Sequence, residues 1–290
     1  MIEIEAASTC VLLGRRGPAR PSLEARIRAP GKGWNVAKEI VTVCLPSVPI
    51  EEWEEALKAA MAPFDMNQPE PAGGEEPQGE WDWYHVYGGD GDTGLPVLAG
   101  HEDDPRIIHH PVFSNGRPRA RRTARCDGGA RGLLDFDTDR SARAAEATAK
   151  WDGWSRFASP YPPARPLDDF HRRFQDDPLG YPFEKARQDY LSQPLAQAVL
   201  HAPEGAGFLP RVGDAIACFG TDRDGFVQQE VCRAIPTNVL LTLDGTWIDG
   251  TLDPVHHPGL PRGDAYFRYA DAYLRSLDND AFVIRVRFHS

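Results

Sequence analysis

Phe282-Val283-Ile284-Arg285-Val286-Arg287-Phe288 is the cleanest strand signal in the chain, and the architecture follows from it. Phe282, Ile284, Val286 and Phe288 alternate with Val283, Arg285 and Arg287, the period-2 pattern of a strand whose successive side chains point to opposite faces. Upstream of it, Asp264 can cap a helix in which Tyr266, Tyr269, Ala270, Tyr273 and Leu277 share one face. Before that helix, residues 239–243 and 246–248 flank Asp244-Gly245, a two-residue hairpin signal because glycine supplies positive φ. Residues 214–219 and 226–231 read as two more short strands. Far upstream, Glu39-Ile40-Val41-Thr42-Val43-Cys44-Leu45 is rich in β-branched residues and reads as a buried strand. Ile50, Trp53, Leu57, Ala60 and Met61 then recur at helical spacing, so residues 49–61 form an amphipathic helix, with Glu51 and Glu52 suited to its N-terminus.

The two ends together read β-α … β-β-α-β, the split β-α-β order of a ferredoxin-like sandwich. The expected fold is therefore α+β, with a ferredoxin-like core interrupted by a large mixed insertion. Residues 1–38 are a peripheral N-terminal segment and 39–64 the first β-α unit. Residues 65–80 are a Pro/Gly/Glu linker, 81–213 the insertion, and 214–290 the remaining β-β-α-β part. Within the insertion, 139–150, 166–176 and 184–200 (broken at Pro194) look helical, whereas 88–132 is long and irregular, as functional or disordered loops are.

Composition narrows the classes of function. The chain has 290 residues, 41% hydrophobic and 26% charged, which is globular. No run of about 18 apolar residues exists, so no membrane span is expected. The start is acidic rather than basic, unlike a signal peptide, and the expected location is cytoplasmic. The five cysteines are scattered without Cys-x-x-Cys spacing, which speaks against a disulfide framework or zinc ribbon. A net charge of −11 argues against broad binding to nucleic-acid backbones or anionic membranes, but leaves room for a local basic site.

Between the linker and the irregular region lies Trp81-Asp82-Trp83-Tyr84-His85-Val86-Tyr87-Gly88-Gly89. Its aromatic rings can stack a base, a sugar or a side chain. Equally, it can be a half-buried strand, with Trp81 and Trp83 on one face and Asp82 and Tyr84 on the other, ended by a diglycine turn. The cassette resembles a family of uncharacterised proteins from phages, prophages and actinobacteria. In that family a strand and helix lead into Leu-x-Pro-Tyr/Phe-Asp/Glu-x-Asn, then Trp-Asp-Trp-Tyr-x-x-Gly-Gly-Arg-Trp, then a closing Asp-Cys-His. Here Ala62-Pro63-Phe64-Asp65-Met66-Asn67, residues 81–89 and His289 correspond. Tyr87 is an extra residue, Asp90-Gly91 replaces Arg-Trp, and Arg287-Phe288 replaces Asp-Cys. The resemblance implies a mobile-element setting and supplies no catalytic residues.

Three other constellations bear on chemistry. Arg117, Arg119, Arg121, Arg122 and Arg125 lie close together with no acid among them, either a phosphate-gripping arm or a solvated loop. Asp135, Asp137 and Asp139 with Glu146 have the spacing of a calcium loop, but Arg140 stands where its turn glycine belongs, and Asp139 can instead cap a helix. Asp135 and Asp137 with His109 and His171 could form a divalent-metal site, although no His-Glu-x-x-His spacing supports one. Walker, nucleophile-elbow and dinucleotide motifs are missing from the sequence. The expectation is a non-enzymatic binding module without a cofactor. It engages a protein or nucleic acid through Trp81, Trp83, Tyr84, His85 and the arginine loop. The alternatives are a metal-dependent hydrolase or nuclease using the Asp/His set, and a structural subunit of a particle or oligomer.

Overall fold

The computed structural model describes residues 38–68, 79–87, 93–111, 118, 124–203, 206–210, 213–251 and 259–289. The chain divides into two compact units, one on Val36–Ala145 with Gln228–Ser290 and the other containing Glu146–Val227.

The decisive stretch forms β9 (Phe282–His289), the strand that organises the first unit. On one side it pairs antiparallel along its whole length with β1 (Lys38–Leu45), from Lys38 opposite His289 to Leu45 opposite Phe282. Its other edge is shared end to end by two short strands. β6 (Gly128–Ala130) takes Phe282–Ile284, and β2 (Trp83–Val86) takes Val286–His289. The handover occurs at Arg285, whose N–H donates to Asp127 O at 2.7 Å while its carbonyl accepts from Tyr87 N at 2.9 Å. β4 (Ile107–Ile108) extends the sheet beyond β6. On the far side of β1 lie β7 (Val239–Leu241), parallel to β1, and then β8 (Trp247–Asp249), antiparallel to β7. The sheet order is β4-β6-β9-β1-β7-β8 with β2 beside β9. β3 (Leu95–Pro96) and β5 (Arg125–Cys126) make a separate two-stranded ribbon.

Both faces of this sheet carry a packed apolar layer, which is why β7 is apolar throughout and β1 and β9 contribute apolar side chains to both sides. Val41, Val43, Leu45, Val239, Leu241, Phe282, Ile284, Val286 and Phe288 pack with Leu57 and Met61 of α1 (Trp53–Met61). Cys44, Leu240, Ile248 and Val283 pack on the opposite face with Tyr266, Ala270 and Leu274 of α8 (Gly263–Ser276). Each large apolar side chain buried in these layers contributes roughly 1.5–3 kcal/mol.

The α+β class and the order β-α … β-β-α-β are therefore present, but the split arrangement is not the one adopted. β1 and β7 are direct parallel neighbours, and α1 and α8 lie on opposite faces. The physical reason lies in β7: all three of its residues are buried, so it needs an interior position, whereas β8 ends in Asp249 and takes the edge. The hairpin between them has three loop residues rather than two. Thr242 N donates to Thr246 O at 3.1 Å, and Gly245 supplies φ 80°. Nor does the insertion span 81–213, since β2, β4 and β6 belong to the same sheet as β1 and β9. Residues 1–37 and most of the 65–80 linker lie outside the described residues.

The second unit is helical. The expected helices are present: α2 (Phe136–Ala158), α3 (Leu167–Asp176), α4 (Phe183–Leu191) and α5 (Pro194–Leu200), with the expected break before Pro194. α2 begins earlier than expected, and its cap is Asp135, not Asp139: Asp135 Oδ1 accepts from Thr138 N at 3.1 Å. The strands expected at 214–219 and 226–231 are instead α6 (Ala215–Cys218) and α7 (Arg223–Val231). Asp214 caps α6 through Ile216 N at 2.9 Å and also accepts from Leu167 N and the Tyr190 hydroxyl, tying three helices together. Phe219 and Phe226 are drawn into an aromatic cluster with Trp151 and Trp154, so tertiary packing sets their conformation. Among the described residues no helix is long and apolar enough to cross a membrane.

Candidate functional site

The three segments that carry the family resemblance meet at one place. Trp83 pairs with His289, and Asp82 N also donates to His289 O at 2.9 Å, so two residues of the incoming strand oppose one on β9. This is a β-bulge, a device that re-aims side chains at a sheet's rim. The bulge turns Asp82 towards His289, whose Nδ1–H donates to Asp82 Oδ1 at 2.5 Å. Asn67 closes the group: its side-chain amide donates to Asp82 O at 2.8 Å and to Asp65 Oδ1 at 2.9 Å.

The bulge also corrects the expected faces of the cassette. Trp81 does not share a face with Trp83. It is buried in the α1-side core, donates its indole N–H to Met61 O at 3.0 Å and meets Tyr84 edge-on at 4.8 Å. Trp83 lies on the other face between two imidazoles, parallel to His85 at 5.5 Å and to His289 at 5.6 Å. The row continues through Tyr87 to Arg287, whose guanidinium carbon sits 3.5 Å from the Tyr87 ring centre. Trp83 is thus engaged by two imidazoles of its own chain.

Arg285 lies deeper on the same face of β9. Burial pulls its guanidinium down to about 10, partly offset by the charge of Asp139, and its Nη2 donates to Ile235 O at 2.5 Å. Glu80, next to the cassette, is half-buried. Burial, with the Asp249 charge adding to it, pushes its carboxyl from 4.5 up to about 7. A carboxyl raised on folding is protonated more in the folded than in the unfolded chain, so stability falls as pH rises through that window. Glu80→Gln is expected to gain stability relative to the parent at pH 7.5 and to match it near pH 4.5 in urea denaturation. Parallel pH curves for the two proteins would refute this.

A cleft of about 320 Å³ lies beside the cassette strand. Trp53, Glu54, Glu55, Leu57 and Lys58 of α1 line one wall, and Tyr84, His85, Val86 and His110 the other. Burial, with the charges of Glu55 and Asp65, holds the Tyr84 phenol above its ordinary value. Along the α1 wall the two carboxylates of Glu54 and Glu55 outnumber the one ammonium of Lys58.

No protein-family model, curated protein or solved structure matches the chain.

The remaining expected residues are distributed as follows. Arg117, Arg119, Arg121 and Arg122 lie outside the described residues. Arg125 is a structural clamp, paired with Asp139 at 2.6 Å and donating to Gly94 O at 2.6 Å. Asp135 is engaged as a helix cap, Asp137 is exposed in the first turn of α2, and His109 follows β4 in the sheet unit. His171 belongs to the helical unit, where its ring stacks on Phe174 at 5.9 Å. Among the described residues no three His, Cys, Asp or Glu side chains are placed to share a metal ion. Cys44 is buried with its thiol pushed strongly up, which makes it a poor nucleophile. Sequence reasoning missed Asp82, His289, Arg287 and Trp53 as members of the site. Only the Asp82 and His289 positions in the family-like motifs pointed to the first two.

Proposed function

We propose that the chain is a non-enzymatic binding module from a mobile-element setting, and that its partner is a protein engaged through the cassette strand and the adjoining cleft. The observation that carries this reading is the cleft itself, where Trp53 and Leu57 are rimmed by the exposed side chains of Glu54, Glu55 and Lys58, two carboxylates to one ammonium. Such a rim repels phosphates and suits a polypeptide surface. Two supports of a nucleic-acid partner are weakened at the same time, because the Trp83 faces stack on His85 and His289 and Arg125 is paired with Asp139. The mobile-element setting rests on the family resemblance, whose three motifs converge around Asp82.

The test is photo-crosslinking. A benzophenone amino acid replaces Trp53 in one protein and Leu179, which is 96% exposed in the helical unit, in another. The expected result in host-cell extract is a discrete protein adduct at position 53 that resists nuclease and does not form at position 179. Adducts that vanish with nuclease treatment, or none at position 53, would overturn the reading.

A further inference from the structure

Resting on that reading, we propose that the partner contributes an extended segment with basic side chains, which adds to the sheet as a strand along the open edge of β2. The register identifies that edge. Tyr87 N donates to Arg285 O, which marks 83, 85 and 87 as the residues whose backbone groups point at β9. The N–H and C=O groups of Tyr84 and Val86 therefore point the other way, and β2 has no second strand partner among the described residues. An unpaired row of this kind is a template for another chain.

The cleft adjoins this strand, lined by Tyr84, His85 and Val86 on one wall and by α1 on the other. Side chains of an added strand alternate between the two faces. Those on the α1 face meet Trp53, Glu54, Glu55 and Lys58, where two carboxylates outnumber one ammonium, which favours an arginine lying over the indole and reaching the carboxylates. Those on the other face meet His85, with Arg287 opposite it on β9, and are best uncharged.

The probes are acetylated nine-residue peptides of alternating Arg and Thr, with alternating Glu and Thr as the control, followed by fluorescence anisotropy. The Arg–Thr peptide is expected to bind at least tenfold more tightly. Val86→Pro removes an outward N–H without touching a β9 ladder bond, and is expected to lose at least tenfold in affinity relative to Val86→Ala, which controls for lost packing. N-methylation of every second peptide residue is expected to abolish binding in one phase and spare it in the other, a result that does not depend on Val86→Pro folding. Equal affinity for both charge patterns, or insensitivity to both Val86→Pro and N-methyl phase, would overturn strand addition. If position 53 still captures a protein in that case, the protein-binding reading stands and only the mode fails; if it captures none, the reading itself has failed. A dimer that Val86→Pro dissociates would show that a second copy is the occupant and overturn the peptide proposal.

Discussion

Asp271→Ala is expected to lower the stability of the sheet unit by about 3–5 kcal/mol, because it strands charge that only a buried carboxylate satisfies. The Asp271 side chain is 2% exposed on α8, and it bonds Arg140 of the first turns of α2 and Arg275 one turn further along its own helix. The Arg140 side chain is itself only 16% exposed, so truncation leaves its guanidinium poorly hydrated and unpaired. The check is the urea midpoint, which should drop with the slope unchanged. Arg140→Ala and Asp271→Ala together should cost less than the sum of the two, since each removes the same interaction. Full additivity would show that solvent reaches the pair and that the expected loss is misattributed.

Trp154→Ala should be nearly as damaging in the helical unit, by about 3–5 kcal/mol. Trp154 is 7% exposed and stacks on Phe219 at 4.8 Å, while Phe219 packs on Phe226 at 4.7 Å. Trp151 reaches both phenylalanines. Removing the central indole opens a cavity between α2, α6 and α7 that the short α6 and α7 cannot close without giving up their own packing. Near-ultraviolet circular dichroism should lose its aromatic signal, and the denaturation midpoint should fall. Trp154→Phe, which keeps a ring in the stack, should cost much less. Equal losses for alanine and phenylalanine would mean that the stack contributes little beyond shape.

The same cluster explains what the sequence could not reveal. Residues 214–219 and 226–231 are short mixed apolar runs, which fit a strand or a helix equally well until something decides between them. The Asp214 cap and the aromatic cluster decide, and both are fixed by residues distant in sequence, Leu167 and Tyr190 on Asp214 and Trp154 on Phe219. By contrast β1, β9 and α1 were legible because long patterns of apolar spacing reported their own burial. Strand order was not legible: nothing in residues 239–241 announces that β7 lies beside β1 rather than one strand away. The site was half-legible. The cassette was conspicuous, yet a single bulge at Asp82 puts Trp81 and Trp83, expected on one face, on opposite faces and brings a carboxylate to an imidazole 207 positions along the chain. Arg125 looked like part of a loose basic arm because its partner, Asp139, lies in the next segment.

The end-to-end sharing of β9 by β2 and β6 also bears on how the molecule comes to fold. Three strands that lie early or midway in the chain, β1, β2 and β6, find their common partner only in residues 282–289. Pairings so distant in sequence carry a large loop-closure penalty and slow the search for the native state. During synthesis, the edges of β1 and β6 remain unpaired until β9 has been made. The sheet unit therefore folds late, after the helical unit has its whole sequence available, and its strands are exposed to misassembly in the interval.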